Sequence, residues 1–312
     1  MTLTGKSSKE VNGYVWYRVS YNGATKYVSS SLVTTTKPTD NKDADTQNDT
    51  KTDNTNDKKD SSKATSTNLK SLKKHIQKAK ELSNNKPLGI NLMVAMNFYE
   101  EHVKTAIEAG IDIIISGAGL PIKLPKFIGN SNVKIAPIVS SAKACKLLLK
   151  MWDKKYNKTA DMIVVEGPKA GGHLGFHRDD LKDIDSIDYD GEFIKILEIT
   201  KEYGQKYDKE IPVIAAGGIS TSSDVKKYIN MGAAGVQVGT LFVATEECDA
   251  NITFKNTYIK CKKEDIKIIK SPVGLPGRAI YNKFLEKLES NKPKIKKCYN
   301  CMETCNPSST PY

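Results

Sequence analysis

From residue 88 to about residue 290, short apolar runs alternate with stretches whose apolar positions recur at helical spacing. Six of the runs read as strands: residues 88–93, 111–116, 135–140, 162–166, 213–216 and 236–239. They are continuous rather than alternating, which suits parallel strands covered by helices. The intervening segments YEEHVKTAIEAG, SAKACKLLLKMW, EFIKILEITKEYGQ and SSDVKKYINMGA are the expected helices. LKSLKKHIQKAKEL, over residues 69–82, is a further helix ahead of them. Repeated strand–helix units predict an α/β fold, either a barrel or a doubly wound sheet.

Two other patterns precede this region. Within residues 1–37, VWYRVSYNGATKYVSSSLV alternates aromatic or β-branched residues with polar ones, and Asn22-Gly23 suits a tight hairpin turn. This stretch resembles the closing half of a bacterial SH3-like domain. Such modules are usually binding domains, often for cell-wall material. Residues 38–66 are rich in Asn, Asp, Thr and Lys and contain no large apolar side chain. A disordered linker is expected there, because nothing offsets the entropy of ordering. The expected division is therefore a β segment at 1–37, a linker at 38–66, a catalytic domain at 67–290 and a cysteine-containing tail at 291–312.

Composition changes this picture little. The 312 residues carry a formal charge of +12, but only three of the 48 basic residues are arginines, Arg18, Arg178 and Arg278. Nucleic-acid readers lean on arginine forks, so a lysine-rich surface explains the charge better. No apolar run reaches the ~20 residues of a membrane span, and no signal-peptide h-region opens the chain. A cytoplasmic location is the default. Cys298, Cys301 and Cys305 have spacings that suit a shared metal, but the tail shows no fourth ligand. Free thiols are the simpler reading, and no metal is assigned.

The glycine-rich strand ends favour the barrel. SGAG, EGPKAGGHLG, AAGGIS and VGT follow successive strands, and barrel active sites collect at C-terminal strand ends. An early G-x-G-x-x-G of the dinucleotide fold is missing. Gly217, Gly218 and Gly239, with Thr240, end consecutive strands and suit a phosphate. His173 sits among Gly171, Gly172 and Gly175, so a flexible loop can present its imidazole to a flat ligand. A general base is the favoured role; a hydrogen-bonding or structural role stays open. Asn91, Ser116, Glu166 and Gln237 are polar residues at apolar strand ends. They need partners if buried, and either a cofactor or internal bonds would serve.

Together, GINLMVAMNFYEEHVKTAIEAGIDIIISGAGLP, KIAPIVSSAKACK, VVEGPKAGGHLGF, PVIAAGGISTSSDVKKYINMGAAGVQVGTLFVATEECDA and IIKSPVGLPGRAI resemble the nitronate monooxygenases, formerly 2-nitropropane dioxygenases. The resemblance implies a TIM barrel that binds FMN non-covalently and oxidises alkyl nitronates with molecular oxygen to a carbonyl compound and nitrite. It places His173 as base or orienting group near the flavin, Asn91 and Gln237 on the cofactor, and Gly217, Gly218, Gly239 and Thr240 at its phosphate. Related NAD(P)H-dependent enoyl-thioester reductases share much of the pattern, and a non-catalytic SH3-like binding protein with a degenerate barrel is a third reading. The opening PIIQGGMG-like strand of the family and the strand after it are missing. Six of eight strands are therefore expected, in an incomplete barrel of a fused or truncated chain.

Overall fold

The computed structural model describes residues 2–11, 14–21, 24–29, 57–271 and 275–290, with side chains from residue 68 onward. The chain divides into two units at residues 54 and 55. In the first, β1 (Thr2–Val11), β2 (Tyr14–Tyr21) and β3 (Ala24–Ser29) form an antiparallel meander. Tyr21 pairs with Ala24, so β2 and β3 are joined across the expected Asn-Gly dipeptide. The residues ahead of Val11 form a strand of their own, which the sequence pattern did not disclose.

The second unit opens with α1 (Asp57–Leu82). The helix begins inside the stretch expected as linker. Its first turns lack apolar periodicity, so only Asp57 and Asp60, favourable near a helix N-terminus, hint at the start. Residues 38–56 and the 291–312 tail, with Cys298, Cys301 and Cys305, lie outside the described residues.

The elements that follow are β4 (Gly89–Met93), α2 (Tyr99–Glu108), β5 (Ile113–Gly117), α3 (Leu124–Ile128), β6 (Lys134–Val139), α4 (Ala142–Tyr156), β7 (Ile163–Glu166), β8 (Gly172–His173), α5 (Tyr189–Lys206), β9 (Val213–Ala216), α6 (Ser222–Asn230), β10 (Gly235–Gln237), α7 (Thr240–Val243), α8 (Ile252–Lys260), β11 (Ile266–Lys270), β12 (Pro276–Ile280) and α9 (Lys283–Ser290). Six strands form one parallel sheet in the order β10-β9-β7-β6-β5-β4. This order follows the chain without reversal, which is the winding of a barrel rather than of a doubly wound sheet. The sheet curls into an open half-barrel. Among the described residues, β4 and β10 have no further neighbour.

The main core lies between sheet and helices. Val103 and Ala106 of α2, Leu148, Leu149 and Trp152 of α4, and Phe193 and Ile196 of α5 pack on Ile114, Ile135, Ile163, Val165 and Val213. Local signals set the helix starts. Ser141 caps α4 by accepting from the Ala144 N–H at 3.2 Å, and Asp188 caps α5 by accepting from the Gly191 N–H at 2.9 Å. A separate antiparallel sheet, β11-β12-β8, joins two strands late in the chain to the short strand that follows β7. Among the described residues, no helix is long and apolar enough to cross a membrane.

Candidate active site

The register decides which strand residues share the inner face of the half-barrel. Met93 lies beside Gly117, Ile138 beside Val164, Val164 beside Ile214 and Ile214 beside Gly235. A Cβ on Gly117 would meet Ile138 at 2.9 Å, which joins the two ends of this row. One row nearer the strand C-termini stand Glu166, Ala216 and Gln237. The residues between these rows, such as Val165 and Ala215, face the helices.

This alternation sorts the polar strand residues. Glu166 and Gln237 are on the inner face, in one row. Asn91 is also on that face, on the edge strand β4. Asn91 and Gln237 are exposed, and their amides make no hydrogen bond among the described residues. Ser116 is on the other face, beside Leu92. It is fully buried; its hydroxyl donates to the Leu92 carbonyl at 2.9 Å and lies 2.7 Å from the Tyr99 hydroxyl. Its expected place beside a cofactor is therefore corrected: internal bonds satisfy it, and a run of three isoleucines before it hid which face it takes.

A cavity of about 710 Å³ lies at the C-terminal ends of β6 and β7. Ile138, Ser140 and Glu166 line it from the sheet, and His173 and Phe176 from the following loop. The Glu166 carboxyl has no hydrogen bond or ion pair among the described residues. Burial pushes its carboxyl up to about 7, because desolvation penalises the charged form. The cavity thus joins a carboxyl that changes charge near neutral pH with the His173 imidazole.

The His173 loop is held from several sides. β8 pairs with β12, setting His173 beside Gly277 and Gly172 beside Arg278. The Leu174 N–H donates to the Pro276 carbonyl at 2.9 Å. Gly172 has a φ of 78°, a conformation that favours glycine. Ala170, Leu174 and Leu181 form a small core of their own with Phe176 and Ile268. Tyr189 braces the strand ends beneath, donating to the Val165 carbonyl at 3.0 Å. Sequence reasoning missed Tyr189 and Arg278. The scarcity of arginine in this chain was the available signal for the second.

Gly217 and Gly218 follow β9, and Gly239 and Thr240 follow β10, its neighbour. Gly217 and Gly218 have φ of 90° and 75°. Their close neighbours are Ala170 and Lys169: a Cβ would meet those side chains at 3.0 and 2.5 Å. These glycines therefore also let the His173 loop pack down. The N-terminus of α6 is capped internally, with Asp224 accepting from the Ser220 and Thr221 N–H groups at 3.0 and 2.8 Å. Those donors are taken. Gly239 and Thr240 are exposed. A Cβ on Gly171 would lie 3.9 Å from the Thr240 hydroxyl, so the His173 loop and the end of β10 adjoin. The Thr240 hydroxyl makes no hydrogen bond among the described residues.

The chemistry of these groups is of the kind FMN needs: exposed amides at Asn91 and Gln237 for the polar edge of a flavin, and Gly239 with the Thr240 hydroxyl for a phosphate. Asn91 and Gln237 stand on opposite edge strands, and neither they nor Gly218, Gly239 and Thr240 line the cavity of Glu166 and His173. Among the described residues no cluster of His, Cys, Asp and Glu suits a metal.

The family model described as nitronate monooxygenase matches residues 62–307. A probable nitronate monooxygenase of Staphylococcus aureus (strain MSSA476) is 28% identical over 197 residues, 62% of this chain and 50% of that protein. Its counterpart in strain Newman is 33% identical over 135 residues, 43% of this chain and 36% of that protein. The chain spans about half the length, or less, of these curated relatives. FabK from Thermotoga maritima superposes with a TM-score of 0.55 at 26% identity, over 71% of this chain and 63% of that one. Nitroalkane oxidase from Streptomyces ansochromogenes gives 0.52 at 19% identity, over 68% and 67%, a likeness of fold alone.

Proposed function

Because the chain belongs to the nitronate monooxygenase family, we propose that it is an FMN-dependent oxidoreductase that converts alkyl nitronates and molecular oxygen to a carbonyl compound and nitrite. The observation that carries this reading is the single cavity shared by Glu166 and His173 at the strand C-termini. Gly217, Gly218, Gly239 and Thr240 hold the FMN phosphate, and Asn91 and Gln237 hydrogen-bond the flavin edge. Bound FMN supplies the electron-accepting chemistry that no side chain here can supply. His173 orients the nitronate by hydrogen bonding and takes the proton from the carbon beside the nitro group when the neutral nitroalkane binds. Ile138, Leu174 and Phe176 give the cavity apolar walls that keep water from the reacting carbon. Gly171 and Gly172 let the loop backbone approach the flavin closely.

Residues 67–290 form the FMN domain in this reading, acting in the cytoplasm. The N-terminal meander is read as an SH3-like binding segment on its WYRV…YNG…KYVSSSLV pattern.

Oxygen uptake by the purified chain loaded with FMN tests the proposal. Nitronate-dependent uptake with release of nitrite is the expected result. NAD(P)H oxidation driven by an enoyl thioester, without nitronate turnover, would move the assignment to the reductases. Neither reaction, with no flavin absorbance, would leave a non-catalytic binding protein.

A further inference from the structure

We propose that Arg278 is the positioning residue of the His173 loop, holding it over the cavity by a two-point clamp; the catalytic part of this inference rests on the function proposed above. Arg278 stands on β12, about a hundred residues from the loop in sequence. Its Nε donates to the Ala170 carbonyl at 3.0 Å, and its Nη2 to the Pro168 carbonyl at 2.8 Å. These two carbonyls lie on either side of Lys169, just before Gly171, Gly172 and His173. The backbone of the same strand grips the far side of the loop. Gly277 pairs with His173, and the Leu174 N–H donates to the Pro276 carbonyl. One short strand therefore holds both ends of the segment that carries the imidazole.

The chemistry of the clamp requires arginine. The guanidinium is half-buried and makes no ion pair with a carboxylate among the described residues. Removing a cation from water without a counter-ion is unfavourable, and the two carbonyl bonds are what offsets it. A planar fork can donate from two nitrogens to two carbonyls in a fixed relation. An ammonium is a single point of charge without that geometry. The chain otherwise meets its need for positive charge with lysine: three arginines stand among 48 basic residues. Gly171 and Gly172 explain why a clamp is needed. With two glycines ahead of it, His173 has little local stiffness, and its place has to be set by neighbouring contacts.

The test is amide hydrogen exchange on the full chain, wild type against Arg278→Lys, joined to steady-state kinetics of the FMN-loaded proteins. Arg278→Lys keeps the charge and removes the fork. Exchange at residues 170–174 should quicken at least about tenfold, the scale of one lost charge-assisted hydrogen bond. Exchange in β6 and β7 should not change. In kinetics, kcat for the nitronate should fall about tenfold or more while KM changes little, since the imidazole is misplaced but the cavity walls remain. Unchanged exchange at 170–174 would overturn the clamp. So would a uniform rise that includes β6 and β7, which marks a general loss of stability. Local loosening with unchanged kcat would overturn the positioning role. If the wild type oxidises no nitronate, the proposed reaction fails, while the exchange result still decides the clamp.

Discussion

Gly175 lies so close to Ser140 that a Cβ on the glycine would come within 2.5 Å of the serine hydroxyl oxygen and 3.1 Å of its Cβ. This contact seats the loop after His173 on the end of β6. Rotating the hydroxyl relieves only part of the clash, so Gly175→Ala has to lift the loop. We expect Gly175→Ala to lose about 1–3 kcal/mol of stability, with most of its activity. Ser140→Gly should restore the room. In a double-mutant cycle by urea denaturation, the two changes should couple by more than about 1 kcal/mol. Additive costs would show that the loop does not rest on Ser140.

Glu166 makes stability fall with pH. Its ordinary carboxyl value is 4.5, and burial pushes it up to about 7 in the folded chain. The folded state therefore holds its proton where the unfolded state has released it, and stability declines between about pH 4.5 and 7. Above that window the loss is complete, at about 3 kcal/mol. Glu166→Gln cannot ionise. It should match the wild type near pH 4 and be the more stable protein at pH 8. Denaturant unfolding of both proteins across this range checks the sign. Parallel curves would mean that Glu166 is solvated like an ordinary carboxylate.

Ser116 separates a structural from a cofactor role. Its hydroxyl joins Tyr99 to the Leu92 carbonyl behind the sheet. Ser116→Ala should cost about 1–2 kcal/mol of stability and leave the FMN dissociation constant within about twofold, a difference near the thermal energy. Flavin fluorescence titration and thermal melting measure the two effects. A large loss of FMN affinity at unchanged stability would return Ser116 to the cofactor side.

The parallel sheet was legible because its six strands are largely apolar runs, four of them with glycine at their C-terminal ends. Five of the expected runs overlap their strands closely; the sixth, at 236–239, begins at Gly235 and ends at Gln237, since the chain turns into α7 at Gly239. His173, Glu166 and the glycines stood out because a polar or flexible residue at the end of an apolar strand is conspicuous. Facing was harder. Ile113, Ile114 and Ile115 do not alternate with polar residues, so only the register shows that Ser116 points to the helices. The pairing of β8 with β12 joins residues about a hundred apart. Short strands such as IKIIK and PGRAI carry no sign of which segment they meet. The clamp from Arg278 was hidden for the same reason.

The proposed activity requires an FMN site in this half-barrel, and titrating the purified full chain with FMN tests for it directly. Absorbance and quenched flavin fluorescence should report one FMN per chain, with Thr240→Val weakening binding by about tenfold, the scale of one lost hydrogen bond to a charged group. A chain that folds and binds no FMN, or one whose affinity ignores Thr240, would contradict it.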